Sequence, residues 1–182
     1  MTIVAITSSP QKNANTEFVV KTIGKSAEEN GKEVVYFDIN SMANRRGCQA
    51  CDACKKNGGK CVTKDDLAPL VDAVKDAEGI IISSPVYFGE ACGQYRLFED
   101  RLYRFFGVPP ENGIAPGKKV AVVTAAGSGG ADELADRMSG VLVSFFKFEP
   151  IGKIAMVTGN DRKYAEKNEA VIAQAKEIGK RF

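Results

Sequence analysis

Residues 3–16, IVAITSSPQKNANT, decide the fold of this chain. Ile3–Thr7 is an unbroken apolar run of strand length, Ser8–Asn15 is polar, and a helix candidate opens near Thr16. An unbroken run, rather than an alternating one, marks a strand covered on both faces. The same unit recurs along the chain. Strand candidates Glu33–Asp38, Gly79–Ser83, Lys119–Thr124 and Ile151–Val157 alternate with helix candidates near Thr16–Asn30, Asp66–Asp76, Gly93–Phe106, Ala131–Phe146 and Arg162–Lys180. Five βα units predict an α/β fold, an open doubly wound parallel sheet with helices on both faces. Asp65 or Asp66 is the expected N-cap of the second helix, with Pro69 tolerated in its first turn. Doubly wound sheets bind ligands at the carboxyl edge of their strands. The loops Ser8–Asn15, Ser84–Cys92 and Ala125–Gly130 belong to that edge, as does the long connection Asn40–Lys64 after the second strand.

At 182 residues the chain has the size of one domain, so 1–182 is read as a single unit with a cysteine-rich loop at 44–64. Hydrophobic residues at 44% and charged residues at 26% are ordinary globular proportions that argue against wholesale disorder. The net charge of +2 is too small to call for nucleic acid or an anionic membrane surface. No apolar run approaches the ~20 residues of a membrane span. The chain starts on a strand-like run, with nothing that reads as a targeting segment. The expectation is a soluble, cytoplasmic protein whose thiols stay reduced.

The cysteines are unusual. Residues 47–61 read GCQACDACKKNGGKC, placing Cys48, Cys51, Cys54 and Cys61 in a C-x2-C-x2-C-x6-C pattern. Three cysteines at every third position let a turn of irregular backbone wrap three corners of an iron–sulfur cubane, with a fourth closing the site from farther along. The chain has no histidine, so mixed cysteine/histidine zinc sites and Rieske-type ligation are excluded. A four-cysteine zinc site usually takes two separated C-x2-4-C knuckles, and Cys54 sits too close to Cys51 for that. Redox-active metal-free thiols remain open. Disulfides would suit a secreted domain, which this chain does not resemble. Arg45, Arg46, Lys55, Lys56 and Lys60 surround the cysteines. They would favour a reduced anionic cluster or dock an acidic partner, or they form an ordinary solvated loop.

The first turn lacks both the glycine spacing of a dinucleotide fingerprint and the GK[ST] of a P-loop. It offers Ser8, Ser9, Asn13, Asn15 and Thr16 leading into a helix N-terminus, where backbone N–H groups and the helix dipole favour a phosphate. A plain polar turn is the competing reading. The third strand runs into SSPVYFGEACGQYRLFEDR, residues 83–101, whose Pro85, Val86, Tyr87, Phe88 and Gly89 set two aromatics in a loop. They suit a flat heteroaromatic ligand such as a flavin ring, or they cap the core. After the fourth strand, AAGSGGADE (125–133) has Asp132 where the last glycine of a Rossmann loop would stand, but lets backbone approach a ring edge.

Together the three loops resemble those of the flavodoxin-like NAD(P)H-dependent FMN reductase superfamily, whose signature looks like GSPRxxxNT, a PVYxG loop and a Gly-rich loop. With the cysteine tetrad after strand two, the chain is similar to the iron–sulfur flavoproteins of anaerobes. The resemblance implies a flavodoxin-like sheet of order 2-1-3-4-5. It implies FMN on Ser9, Gln11, Asn15, Thr16, Pro85, Val86, Tyr87, Phe88, Gly127 and Gly129, and a [4Fe-4S] cluster on Cys48, Cys51, Cys54 and Cys61. It further implies a homo-oligomer, dimer or tetramer, with the cluster of one subunit close to the FMN of its neighbour. Ferredoxin is the implied donor, with oxygen or peroxide as acceptors. Ser8 departs mildly from the signature's first glycine. Gln11 stands where arginine is usual, which removes a charge from the phosphate loop. Arg96, Asp100 and Arg101 read as structural or subunit contacts.

These readings converge on an electron-transferring redox flavoprotein with no acid–base side chain required. The alternatives are an NAD(P)H-dependent FMN or quinone reductase with unmetallated thiols, and a redox or metal sensor without flavin chemistry.

Overall fold

Strand β1 (Thr2–Thr7) lies between β2 (Glu33–Asp38) and β3 (Gly79–Tyr87), parallel to both, with Val4 opposite Val35 and Ile80. The computed structural model describes residues 2–182. Beyond β3 a short strand β4 (Glu90–Ala91) folds back on it, and the sheet continues through β5 (Lys119–Ala126) to β6 (Glu149–Val157). The order is β2-β1-β3-β5-β6, all parallel, with β4 as an antiparallel appendage of β3. With that hairpin set aside, this is the 2-1-3-4-5 order of flavodoxin-like sheets.

The unbroken apolar runs are explained by burial on both sides. Successive strand residues point to opposite faces. Val4, Ile6, Ile80, Ile82, Val120 and Val122 join one core, and Ile3, Ala5, Ile81, Ala121 and Val123 join the other. Helix α1 (Asn15–Glu29) covers the second face together with α7 (Glu169–Lys180). The first face is covered by α3 (Leu67–Asp76), α4 (Gly93–Arg101) and α5 (Ala131–Phe146). Two single-turn helices, α2 (Ala53–Lys56) in the cysteine loop and α6 (Tyr164–Lys167) before α7, complete the chain.

Several boundaries differ from the sequence reading, each for a local reason. β3 runs on past Ser83 to Tyr87 because β4 pairs with its end, Val86 opposite Ala91. The tip is Phe88-Gly89, both at positive φ (+53° and +82°), the conformation a two-residue hairpin requires. The helix expected over Gly93–Phe106 leaves α geometry at Arg101 and finishes as a 3-10 turn, Leu102–Phe105. The expected final helix breaks at Asn168, whose side-chain oxygen caps α7 by accepting from Val171 N at 3.1 Å. Asp66 precedes α3 without capping it. Its carboxylate accepts instead from Asn44 N (2.9 Å), and that of Asp65 from Arg46 N (2.8 Å). Both acids therefore serve the cysteine loop.

Helices α1 and α7 meet at Gly179, where a Cβ would stand 2.5 Å from Ile23 O and from the Cβ of Ser26. Backbone cannot step aside cheaply. Gly179→Ala is predicted to lower stability, because overpacking costs about 1–3 kcal/mol against a helix-propensity gain of at most about 1 kcal/mol. A lowered urea midpoint checks this; a raised midpoint would show that the two helices part freely.

Candidate functional site

A cleft of about 480 Å³ opens at the carboxyl edge of the sheet, within the roughly 300–1,000 Å³ typical of small-molecule sites. Four connections build it. Ser9, Gln11, Ala14, Asn15 and Thr16 come from the β1–α1 turn, and Pro85, Val86 and Tyr87 from the end of β3. Ala125, Ala126 and Gly127 come from the end of β5, and Thr158 with Asn160, Asp161 and Arg162 from the turn after β6.

The α1 end of the cleft presents unanswered donors. Ala14 stands at the N-cap and supplies no side-chain acceptor to the first-turn N–H groups. Thr16 is 1% exposed, and its hydroxyl is buried with no hydrogen-bond partner. A buried hydroxyl without a partner is costly, and an anion seated at this helix N-terminus would satisfy it together with the orphan amides. The Ser9 hydroxyl accepts from Gln11 N at 3.1 Å and tightens the turn.

The other expected residues divide. Pro85, Val86, Tyr87 and Gly127 line the cleft; Phe88 and Gly129 do not. Phe88 projects wholly into solvent from the hairpin tip and Tyr87 is half-exposed, so neither caps the core. A Cβ on Gly127 would meet Asn160 Oδ1 at 2.6 Å, so this glycine seats the turn after β6. Gly159 N and Thr158 N donate to Gly127 O and Ala126 O across the same contact (3.1 and 2.8 Å). Asn15 is also structural: its amide nitrogen donates to Asp161 O (2.7 Å) and its oxygen accepts from Ala165 N (2.9 Å). The fourth wall, Thr158 to Arg162, was not expected. The turn signal TGND at 158–161, following the last strand, could have revealed it.

The four clustered cysteines converge on a second, smaller hollow, bordered also by Arg101, Tyr103 and Arg104. It shares no lining residue with the cleft. Cys54 is buried, Cys61 half-buried, and Cys48 and Cys51 exposed. Left-handed residues Ala50, Asp52, Gly58 and Gly59 bend the backbone around it. Gly59 is needed there, since a Cβ would lie 2.8 Å from Asn112 O. Ala50 N points at Cys48 Sγ (3.5 Å). Among the described residues no three His, Cys, Asp or Glu side chains are grouped to hold one ion.

A single side chain ties this loop to the fold. Arg101, at the end of α4 and 2% exposed, donates from Nη1 to both Asp65 oxygens (3.0 and 2.8 Å) and to Arg46 O (3.0 Å), and from Nη2 to Thr63 O (3.4 Å). Both stems of the cysteine loop therefore hang on one guanidinium. Lys55 donates to the carbonyls of Tyr103 and Phe106 and lies 4.2 Å from the Tyr103 ring centroid, so it is structural rather than a free basic residue. The cations at the hollow are Arg101 and Arg104, whose Nε–H groups are buried without partners. Cys92 lies elsewhere, buried beneath the first loop, with Sγ 3.2 Å from both Ser8 O and Ser8 Oγ.

Beside Cys48 runs an apolar groove of about 680 Å³, floored by Leu102, Tyr103, Phe106, Val141 and Phe145. Tyr103, Phe106 and Phe145 are substantially exposed, and the last two rings meet edge-on at 5.6 Å. Arg96 and Arg137, both paired with buried Glu99, form its charged rim.

A family profile described as NADPH-dependent FMN reductase matches residues 1–163. An iron–sulfur flavoprotein of Archaeoglobus fulgidus is 39% identical over 99 residues, 54% of this chain and 49% of that protein. An iron–sulfur flavoprotein of Methanocaldococcus jannaschii is 30% identical over 138 residues, 75% of this chain and 68% of that protein. The chain thus spans about half to two thirds of the length of these curated relatives. An archaeal flavodoxin superimposes with a TM-score of 0.62 at 14% identity, covering all of this chain and 95% of the other, a likeness of fold.

Removing one partner of a buried ion pair leaves the other charge uncompensated, at about 3–5 kcal/mol. Asp65→Ala is predicted to destabilise the protein on that scale and to expose the loop to trypsin at Lys55, Lys56 and Lys60. Glu177→Ala, which breaks an exposed pair with Lys180, should cost less than about 1 kcal/mol. Urea titration with limited proteolysis measures both; an Asp65→Ala protein as stable and as resistant as the parent would contradict the clamp.

Proposed function

The chain belongs to the iron–sulfur flavoprotein branch of the NADPH-dependent FMN reductase family, and we propose that it transfers electrons between a [4Fe-4S] cluster on Cys48, Cys51, Cys54 and Cys61 and an FMN in the carboxyl-edge cleft. It is a flavin-dependent oxidoreductase. The observation that carries the cluster reading is that all four cysteines line one small hollow of about 20 Å³, beside two guanidinium groups whose buried Nε–H donors lack partners among the described residues. A cubane takes its four thiolates on four different corners, so its cysteines surround a space rather than converge on a point. Its net negative charge would also answer the unpartnered donors. When bound, the two groups supply one-electron storage and the exchange between one- and two-electron steps.

The protein's part is placement. Thr16 Oγ1 and the open first turn of α1 receive the phosphate, while Pro85, Val86 and Tyr87 form a wall for the ring. Arg101 and Arg104 border the hollow as ion pairs with Asp65 and Asp72, and their unpartnered Nε–H donors would favour a reduced, more negative cluster. The donor we assign is ferredoxin or a similar acidic one-electron carrier, and the acceptor a small molecule such as oxygen or peroxide. Self-association as a dimer or tetramer is part of the proposal. The exposed aromatics of the groove beside Cys48 form a patch of the kind that marks protein interfaces. Because cleft and hollow share no residue, transfer between subunits would shorten the path from one copy's cysteines to another's flavin. Among the described residues no helix is long and apolar enough to cross a membrane.

Protein purified without oxygen should show two flavin bands with a broad blue-violet shoulder, and should contain iron and acid-labile sulfide. Cys51→Ser should lose iron and sulfide and keep flavin, while Cys92→Ser keeps all three. Equal iron loss in both variants would refute the ligand set, and a flavin-only spectrum in the parent would favour a quinone or FMN reductase with free thiols. Thr16→Ala is predicted to weaken FMN about ten- to a hundredfold, the worth of a hydrogen bond to a charged acceptor.

The path between subunits has its own test. Cys51→Ser subunits mixed with subunits unable to hold FMN should recover cluster-to-flavin reduction in the mixed oligomer. An isolated monomer that reduces its own flavin at full rate would overturn this part of the proposal.

A further inference from the structure

Resting on the FMN reading above, we infer that Arg162 is the cation that holds the FMN phosphate, with Gln11 and Asn15 as the residues that position it. The cleft is otherwise without positive charge. Of its lining residues only Arg162 is cationic; the first turn contributes Gln11 to the lining, and Lys12 does not reach it. A dianionic phosphate at the α1 N-terminus gains from the helix dipole and from amides, but a planar guanidinium adds paired, charge-assisted hydrogen bonds.

Three contacts bring Arg162 to that place from the far end of the sheet. With the Gln11 amide oriented so that its oxygen faces the guanidinium, that oxygen accepts from Arg162 Nε at 3.2 Å and Nη2 at 3.1 Å. The orientation is assigned from the hydrogen-bond pattern. Asn15, itself in the first turn of α1, holds the flanking backbone at Asp161 O and Ala165 N. Gly127 leaves the room that Asn160 fills on the other side. The one acid on the cleft wall, Asp161, is engaged elsewhere: Oδ1 accepts from Lys163 N (2.8 Å) and Oδ2 from Lys167 Nζ (3.0 Å). The guanidinium is thus held by a neutral amide and keeps its charge free for an anion. Nearby, the buried Thr16 Oγ1 has no hydrogen-bond partner among the described residues. The β1–α1 turn and the turn after β6 therefore form one phosphate subsite, with donors from α1 and charge from Arg162 in the turn after β6.

The test compares FMN with riboflavin, which lacks the phosphate, by flavin fluorescence titration of the flavin-depleted full chain. Arg162→Gln should weaken FMN about ten- to a hundredfold, the range for a charged hydrogen-bonding contact, and leave riboflavin unchanged. Arg162→Lys should fall between, since it keeps the charge and loses the fork. Gln11→Arg in the Arg162→Gln background should restore FMN, because position 11 faces the same space. Asn15→Ala should weaken FMN in the parent and add nothing once Arg162 is gone; an additive loss would overturn its positioning role. The inference fails if Arg162→Gln binds FMN like the parent, or loses FMN and riboflavin in equal proportion. A parent chain that binds no FMN would sink the flavin reading and this one together, whereas tight FMN retained by Arg162→Gln would sink this one alone.

Discussion

Burial of β1, β3 and β5 on both faces is the constraint from which the rest of the molecule follows. Ile3, Val4, Ala5 and Ile6 are all withdrawn from water, two to each side, and so are Ile80, Ile81 and Ile82. Fully burying an aliphatic side chain contributes about 1.5–3 kcal/mol, so exposing either face of these strands would be expensive. Each strand must then be followed by a chain that crosses over a face as a helix and returns parallel. Parallel return puts every strand's exit at one edge. The loops after β1, β3, β5 and β6 are gathered into one cleft by that geometry alone.

The cysteine loop is the part that the two cores do not hold. Most of its residues from 44 to 61 are exposed or half-buried, and its backbone visits the left-handed region repeatedly. What it has in place of a core is the buried guanidinium of Arg101 with Asp65, reinforced by Lys55 on two carbonyls. A buried ion pair gives little net stability compared with apolar packing, but it is intolerant of misplacement. That suits a loop proposed to keep four sulfurs at set positions. The arrangement also places Arg101, with Arg104, at the hollow that the cysteines line. The two sites are built on different physics: the cleft on helix termini and rigid strand ends, the hollow on a polar clamp.

Much of this was legible in the residues. Ile3–Thr7, Gly79–Ser83 and Lys119–Thr124 read as doubly buried strands because their apolar residues do not alternate, and the sheet bears this out. Cys48, Cys51, Cys54 and Cys61 declared themselves by spacing, and they do line one hollow. Less legible were roles that depend on what a side chain meets. Asn15, expected to contact a cofactor, lines the cleft and is also a strut between α1 and the turn after β6. Gly127, expected in a loop beside a ring, lines the cleft and also makes room for Asn160. Asp65 or Asp66 reads as a helix cap, yet both carboxylates turn to the cysteine loop, where Arg46 N and Arg101 meet Asp65 and Asn44 N meets Asp66.

The sequence by itself determined the doubly wound sheet, its order through the family resemblance, the four clustered thiols and the loops at the ligand edge. Apart from the strand order, which the resemblance supplies, these are local patterns, carried by periodicity or spacing within a few residues. Only the tertiary structure decided that Arg162 reaches the first loop, that Arg101 holds both stems of the cysteine loop, and that Thr16 is left with an unanswered hydroxyl. Each of those facts joins residues 36 to 151 positions apart or depends on the absence of a partner from the whole fold. Contacts at that range are set by how the strands are ordered and how the helices pack across them. No local pattern in the chain records them.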